Sequence, residues 1–465
     1  MFDKNEYINR RALLSKSFGS GVILFLGNEE SPMNYLDNTY HFRQDSTFLY
    51  YLGISSPQLA AVIDVDENTT ILFGDEMTID DIVWMGSQQT LAEKGLNSGV
   101  TNLLPKAQLE TYLARITAQG REVHFLPPYR AESKIKLSQL FVQPLGNIPN
   151  LVSVKLIKLV AAQRSRKSVL EIEELNKAAS ISADMHLMAM KMAKPGMTEN
   201  EIAACIHQVA LSSGGNIAYP IILTVNGQIL HNHYHGNILK EGDLVLNDSG
   251  AETALGYAGD LTRTFPAGKT FSSKQKEMYN IVLQSYQKAA AMLKPGVKYL
   301  DVHLHACLQL AEGLKSMGLM KGDMEEAVQL GAHALFFQCG TGHMMGLDVH
   351  DMEDLGEQYV GYTEQLVKNT SQFGLKSLRL GKALEQGYVL TIEPGLYFIP
   401  ELIDRWQATN EFSEYINYNE VSKYRDFGGI RVEDDFVITD NSSTMLGKPL
   451  AITIEEIEQI RKDAY

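Results

Sequence analysis

Cysteine is scarce in this sequence, with three residues among 465, at positions 205, 307 and 339. An odd and scattered set argues against a disulfide framework and favours a reducing compartment, so we expect buried, free thiols in a cytoplasmic protein. The amino terminus also lacks the apolar run of about 7–15 residues that a signal peptide carries. Secreted, disulfide-stapled classes are therefore disfavoured.

Basic residues and long apolar runs are also under-represented. The 41 Lys and Arg residues face 56 Asp and Glu residues, which gives a formal net charge of −15. Because no basic stripe is available for phosphate contacts, we expect no nucleic-acid partner. Apolar stretches such as GVILFLG are too short to cross a bilayer, so we also expect no membrane association.

What is present is an ordinary globular composition, 45% hydrophobic and 21% charged. A single core stops growing near ~250–300 residues, so a chain of this length predicts at least two domains. Residues 1–155 alternate strand-like stretches (GVILFLG, TFLYYLGI, LAAVIDVD and TTILFGD) with helix-like ones, as in an α/β domain. We place the boundary in residues 150–167, expected to be a helical bridge, and a second domain in residues 168–465.

The second domain repeats a pattern about a hundred residues apart. A long helical stretch ends in Lys194-Pro195-Gly196 and another in Lys294-Pro295-Gly296, and each is followed by a second helical stretch. Thr198 and Glu201 have the spacing of a capping box. These parallels predict an internal duplication; the alternative is a chance resemblance between two helix-helix-strand units.

The repeated strands carry acidic residues at equivalent places. GDLVLNDSG and GYVLTIEPG share the order Gly, apolar strand, acid, small residue, Gly, which aligns Asp248 with Glu393. Each half then offers a second acid after a glycine-containing turn, Asp260 or Glu433. Two halves related by a pseudo-two-fold axis would bring the four carboxylates together.

Four converging carboxylates cannot all stay ionised without counter-charges, because like charges raise one another's pKa values. Two divalent metal ions would balance them, and His343 after a Gly-Thr-Gly turn would add a nitrogen ligand. The oxygen-rich set favours Mn²⁺, with Co²⁺, Fe²⁺ or Zn²⁺ also able to bind. Any one of these acids alone would be read as a solvated surface charge.

The motifs NDSGAETALGYAGDLTRTFP, GTGHMMGLDVHD, VLTIEPGLYF and GGIRVEDDFVIT resemble, in order, those of the pita-bread metallopeptidases of the aminopeptidase P and prolidase branch. YHFRQDSTFLYYLGISSP is similar to the first domain of aminopeptidase P. The resemblance implies an α/β amino-terminal creatinase-like domain. It implies an α+β pita-bread catalytic domain with pseudo-two-fold duplication after it.

The resemblance also implies roles for the ligands. Asp248 would be a terminal ligand of one metal, Asp260 and Glu433 would bridge both metals, and His343 and Glu393 would hold the other. Glu393 would also move a proton from water to the leaving nitrogen.

Further positions match residues that contact substrate in this family. His350 would stabilise the oxyanion, and His231 in ILHNHYHGN would lie near the scissile carbonyl, although His233 could take that place. We expect His233 and His235 to lie in a loop; on a strand, His231, His233 and His235 would share one face, which leaves a His-rich metal site as the alternative.

Two arginines and one tryptophan have competing interpretations. Arg431 matches a family arginine at the site, or only orients the carboxylates. Arg379 matches a prolidase arginine that clamps the substrate carboxylate, or pairs with Glu385 at the surface. Trp84 matches an aromatic residue that reaches a neighbouring subunit, or is a buried core residue.

These expectations combine into one function, the hydrolysis of Xaa-Pro bonds in proline-containing peptides or dipeptides by a homo-oligomeric (dimeric or tetrameric) enzyme. A dipeptidase is favoured because of Arg379 and the prolidase-like insertion between Tyr397 and Phe427, with an aminopeptidase for longer peptides as the alternative. A non-catalytic pita-bread binding module and a metal-free creatinase are disfavoured by the intact ligand set.

Overall fold

The computed structural model describes residues 1–465 and divides into two compact units. The first comprises Met1–Arg164 and Met352–Val360, and the second comprises Ser165–Asp351 and Gly361–Tyr465. The chain leaves the first unit along the helix Val154–Ser165, so the bridge is helical as expected.

The first unit is built on a mixed five-stranded sheet. Its strands, in spatial order, are Asn102–Leu104, Thr69–Phe73, Ala60–Asp64, Val22–Leu26 and Val123–His124. The three central strands are antiparallel, the two edge strands are parallel to their neighbours, and three of the four predicted strands are thereby confirmed. Apolar residues from these strands and from the helix Gln108–Ala118 form the core.

Short helices surround this sheet, together with a small hairpin of Pro32–Tyr35 and Asn38–Thr39. The helices are Lys4–Phe18, Ser46–Leu52, Ile79–Met85, Leu91–Ser98, Gln108–Ala118, Ala131–Leu140, the 3₁₀ turn Leu145–Leu151, and Val154–Ser165, and the segment Met352–Val360 adds the 3₁₀ turn Glu353–Leu355 and the helix Glu357–Val360. None of the protein's helices is long and apolar enough to span a bilayer by itself. Leu145–Leu151 and Val154–Ser165, bent by 62°, meet the length and composition criteria only as a pair.

Two expectations for this unit are wrong. TFLYYLGI forms the helix Ser46–Leu52 instead of a strand: Asp45 caps it by accepting a hydrogen bond from Phe48 N (2.8 Å), and Gly53 ends it in the left-handed conformation (φ 70°). A short apolar run does not distinguish a buried strand from a buried helix. Trp84 is 84% exposed, which rules out the core interpretation of this residue.

The second unit contains two similar helix pairs, Val169–Met192 with Glu199–Ser212, and Ser273–Ala290 with Tyr299–Ser316. The capping box of Thr198 and Glu201 is confirmed. Shorter helices are Met324–Leu330, Pro400–Ala408, Tyr418–Val421 and Ile454–Asp463, with 3₁₀ turns at Ala332–Leu335 and Ser422–Tyr424. Helices Pro400–Ala408 and Tyr418–Val421 lie in the insertion after Tyr397.

Equivalent hydrogen bonds follow the two Lys-Pro-Gly turns. Gly196 N donates to Leu239 O and Gly296 N donates to Leu384 O, both at 2.8 Å. The return bonds, from Leu239 N to Met197 O and from Leu384 N to Val297 O, measure 2.9 and 2.8 Å. The recurrence of the same bonds confirms an internal duplication.

The strands of the second unit repeat in the same way. Leu244–Asp248 pairs antiparallel with Thr262–Pro266, and Val389–Ile392 pairs antiparallel with Asp434–Ile438. A bridge between Thr262 and Glu433 connects the two pairs. The remaining short strands are Asn216–Ile217, Ile222–Thr224, Ala251–Glu252, Gly395–Tyr397, Gly429–Arg431 and Ser443–Met445.

The three cysteines are free, as expected. Only Cys307 is buried, whereas Cys205 and Cys339 are partly exposed, so the expectation of burial holds for one of the three.

Candidate active site

The paired strands of the two halves position the acidic residues. Asp248 is the last residue of its strand and Glu393 follows its strand directly. Glu433 directly precedes the strand Asp434–Ile438, and Asp260 lies two residues before Thr262–Pro266. Because the two hairpins meet at the Thr262–Glu433 bridge, the strand ends converge on one cavity.

His343 completes this group. Ligand atoms of Asp260, His343 and Glu433 all lie within 4.8 Å of one another. His343 Nε2 is 3.3 Å from Asp260 Oδ2 and 3.8 Å from Glu393 Oε1. The structure thus brings all five predicted ligands to one cavity, and three of them are close enough to share one ion.

Burial and mutual repulsion shape the charges of this group. Burial, with the neighbouring charge of Asp260, raises the pKa of Glu393 to about 8 against the opposing effect of Arg431. The same causes raise the pKa values of Asp248 and Glu433. The pKa of Asp260 is lowered, because the hydrogen bond and charge of His343 outweigh burial. Nearby cations would offset the repulsion between carboxylates crowded in this way.

A metal-binding role fits these residues. Glu433 Oε1 is buried and has no hydrogen-bond partner. Four carboxylates and one imidazole supply the oxygen and nitrogen donors that divalent cations bind, and the charge of such cations would offset the repulsion. The site therefore suits divalent metal ions.

Arg431 is the main fixed cation beside the carboxylates. Its Nη2 forms an ion pair with Asp248, its Nε donates to Thr262 Oγ1 (3.0 Å), and its Nη1 donates to Tyr397 Oη (2.9 Å). These contacts hold the guanidinium rigidly and orient Asp248.

The predicted substrate-contacting residues line the same cavity, which has a volume of about 220 Å³. The ring of His350 lies 4.4 Å from that of His343, edge to face at 73°. His231 and Arg379 also line the wall. The positive charge of Arg379 acts to lower the pKa values of both Glu393 and His231. Glu385, the surface partner considered for Arg379, forms an ion pair with Arg166.

The His-rich segment is a loop, as expected for His233 and His235, and the alternative in which its histidines share a strand face is wrong. His231 and His233 line the cavity, whereas a ring nitrogen of His235 lies 3.1 Å from Ile221 O. The family position can still be taken by either His231 or His233.

Sequence reasoning missed several contributors to the cavity. Tyr219 Oη lies 2.7 Å from Asp248 Oδ1 and 2.5 Å from Asp260 Oδ1. Thr262 Oγ1 donates to Glu433 Oε2 (2.7 Å). An apolar wall is formed by Pro220, Ile222, Leu230 and Val349. Tyr219 and Pro220 precede an apolar strand. In the sequence, the only indication of their place at the cavity was a polar aromatic residue at the edge of that strand.

Comparisons with known proteins agree with this geometry. The description "Metallopeptidase family M24" matches residues 173–440, and "Aminopeptidase P, N-terminal domain" matches residues 7–124. A human Xaa-Pro dipeptidase is 31% identical over 451 residues, covering 94% of this chain and 88% of the relative. An Escherichia coli (strain K12) Xaa-Pro aminopeptidase is 31% identical over 475 residues, covering 98% of this chain and 97% of the relative.

Solved structures show the same relationship. Escherichia coli aminopeptidase P with the inhibitor Pro-Leu superposes with a TM-score of 0.81 at 30% identity, covering 100% of this chain and 99% of that chain. The expected pita-bread architecture, with its aminopeptidase P-type amino-terminal domain, is thereby confirmed. The family match spans more than half of the sequence, so this chain belongs to metallopeptidase family M24.

Proposed function

We propose that this chain is a metal-dependent exopeptidase that hydrolyses the bond between an amino-terminal residue and proline. The observation that carries the proposal is the convergence of three buried carboxylates, the partly exposed Glu393 and His343 in one cavity. The printed names of the relatives, Xaa-Pro dipeptidase and Xaa-Pro aminopeptidase, support the choice of bond.

Two divalent ions would be held by Asp248, Asp260, His343, Glu393 and Glu433, and the oxygen-rich set favours Mn²⁺. When bound, such ions supply an activated water and polarise the scissile carbonyl.

The surrounding side chains have separate tasks. A carboxylate oxygen of Glu393 accepts a proton from the attacking water and returns it to the proline nitrogen. His350 and His231 donate hydrogen bonds to the carbonyl oxygen as negative charge develops there. Arg431 keeps Asp248 in place through its ion pair.

The cavity also fits a proline ring. An Xaa-Pro bond lacks an N–H group, so recognition must come from shape and apolar contact instead of a hydrogen bond to that nitrogen. The apolar wall defined above lies beside the carboxylates and provides such contact.

The proposal predicts the behaviour of Asp260→Asn. Loss of even an outer hydrogen-bond partner of a metal ligand typically costs ~10–100-fold, so loss of a ligand itself should lower kcat/KM for Ala-Pro by more than ~100-fold and release metal. Activity is measured together with metal content. Full activity in a variant that has lost its metal would contradict the proposal.

We further propose a preference for dipeptides over longer peptides. Arg379 lies on the cavity wall, and its positive charge acts to lower the pKa values of Glu393 and His231, which supports a role in pairing with a carboxylate directly after proline. A charge-assisted hydrogen bond of this kind contributes about 1.5–3 kcal/mol. An aminopeptidase that acts on longer peptides is the second candidate, supported by the Escherichia coli relative.

A comparison of substrates of different length distinguishes the dipeptidase from the aminopeptidase. Arg379→Ala should lower the ratio of kcat/KM for Ala-Pro to that for Ala-Pro-Ala by about 10- to 100-fold, as the loss of such a bond implies. Arg166→Ala, which removes an exposed arginine paired with Glu385, is the matched control and should leave the ratio unchanged. An unchanged ratio in Arg379→Ala would favour the aminopeptidase.

We also propose that residues 1–155 form the aminopeptidase P-type domain, that residues 168–465 form the catalytic domain, and that the chain acts in the cytoplasm as a dimer or tetramer. The helix Ile79–Met85 supports self-association, because Ile79, Val83, Trp84 and Met85 are all exposed. Light scattering on the purified chain measures the assembly, and a stable active monomer would contradict it.

A further inference from the structure

A second cluster of metal-binding side chains lies in the catalytic unit, outside the carboxylate site. His303, Cys307 and His333 are 0%, 0% and 2% exposed, and one ligand atom from each lies within 4.8 Å of the others. We call these three residues the thiol-imidazole cluster. None of them lines the carboxylate cavity.

The positions of the three residues in the fold bring their side chains close together. His303 and Cys307 are one turn apart on the helix Tyr299–Ser316, so they share a face, and His333 lies in the 3₁₀ turn Ala332–Leu335. Cys307 Sγ is 3.6 Å from His303 Nε2. A tetrahedral ion with an S bond of ~2.3 Å and an N bond of ~2.0–2.1 Å would separate these two atoms by about 3.6 Å.

Ring nitrogens of both histidines are available to bind an ion. His303 Nδ1 lies 2.8 Å from Thr341 Oγ1, a hydrogen bond in which either group can be the donor. When Nδ1 donates, the lone pair of Nε2 faces Cys307 and is available to an ion. Both ring nitrogens of His333 are buried without a hydrogen-bond partner. Leaving such a group unpaired costs free energy, and a metal bond would remove one of the two deficits.

The ionisation of the cluster is compatible with a cation. Burial lowers the pKa of His303 to about 3 and the pKa of His333 to about 4, so both imidazoles are neutral, the form that binds metals. Burial raises the pKa of the Cys307 thiol, which is protonated while no cation is nearby.

We propose that His303, Cys307 and His333 bind one thiophilic divalent cation of the Zn²⁺ type at a buried structural site. One sulfur and two nitrogen donors favour such an ion, whereas the oxygen-rich carboxylate set favours harder ones. On binding, Cys307 releases its thiol proton to solvent and its sulfur forms the metal bond. The competing explanation, an S–H···N hydrogen bond between Cys307 and His303, leaves both nitrogens of His333 unpaired.

The site would act on the carboxylate centre through Thr341. Its side chain contacts His303, and its carbonyl accepts a hydrogen bond from Glu393 N at 2.7 Å. A bound ion would therefore fix the segment that carries His343 against the helix Tyr299–Ser316.

Metal retention by the full chain tests the proposal. Protein is produced with Zn²⁺ in the medium and then dialysed against excess Mn²⁺ with a chelator, so that the carboxylate centre exchanges and the buried cluster does not. Wild type should retain about one zinc per chain, and Cys307→Ser should retain none. Cys205→Ser, which alters a partly exposed cysteine on the helix Glu199–Ser212, is the control and should match wild type.

A spectroscopic measurement identifies the sulfur. Protein produced with Co²⁺ should show a near-ultraviolet thiolate-to-cobalt absorption band that Cys307→Ser abolishes and Cys339→Ser, at the carboxylate cavity, retains. If Cys307→Ser does not fold, zinc-edge X-ray absorption of the Mn²⁺-exchanged wild type should still show one sulfur neighbour. Wild type without retained zinc, a zinc shell without sulfur, or a band that persists in Cys307→Ser would overturn the proposal.

Discussion

Tyr219 illustrates how one side chain organises the carboxylates. Its hydroxyl has a single proton, yet its oxygen lies within hydrogen-bond distance of both Asp248 and Asp260. Burial, together with these two negative charges, raises the pKa of Tyr219 well above its ordinary value, so the hydroxyl remains a donor. Tyr219 is therefore a positioning residue for two of the proposed ligands.

Replacing Tyr219 by Phe should weaken metal retention by ~10–100-fold, as loss of outer hydrogen bonds to ligands typically does. Metal affinity is measured by titration of the stripped protein. Tyr257→Phe removes another buried hydroxyl, which bonds to Glu171 at 3.2 Å outside the cavity, and is the control. Equal affinities in the two variants would show that Tyr219 does not position the ligands.

At the scale of elements, the segment from Cys339 to His343 sets the position of the imidazole. Thr391 N donates to His343 O at 3.0 Å, and Glu393 N donates to Thr341 O at 2.7 Å, so this segment runs along the strand Val389–Ile392, which Glu393 follows directly. Gly342 permits the approach, because a Cβ there would lie 2.1 Å from Tyr299 Oη and 2.2 Å from Thr391 O. Glycine is thus required by close packing, without a positive φ.

Gly342→Ala should therefore displace His343 and destabilise the catalytic unit by about 1–3 kcal/mol, the usual range for overpacking. The free energy of unfolding in urea and the kcat for Ala-Pro measure the two effects. Gly146→Ala adds the same methyl group where no atom lies within 4 Å and should change neither quantity. Wild-type stability and activity in Gly342→Ala would contradict this account of the segment.

Elements also show where sequence reasoning stops. The strand pairs around Asp248 and Glu393 were predictable because their apolar runs and glycine turns are local patterns. Ser46–Leu52 was not, because Asp45 and Gly53 decide its conformation against a run of residues that also suits a strand. The HNHYH segment forms the expected loop, although its alternating pattern also suits a strand.

At the scale of the whole molecule, the repeated order of motifs made the duplication and the candidate ligands predictable. Side-chain contacts between residues distant in sequence were not predictable, because no local pattern records them. Tyr219 and Asp260 are one example, and Cys307 and His333 are another. The exposure of Trp84 was not predictable either, since nothing local distinguishes an exposed tryptophan from a core residue.

The central claim is that the carboxylate–histidine cavity binds metal and hydrolyses Xaa-Pro bonds. The most direct measurement is the rate of Ala-Pro hydrolysis by wild-type protein before metal removal, after chelation, and after Mn²⁺ is restored, with metal content determined at each stage. We predict that activity falls to background with the loss of metal and returns when Mn²⁺ is added. Undiminished hydrolysis by fully metal-free protein, or no hydrolysis of Ala-Pro by metal-loaded protein, would contradict the account.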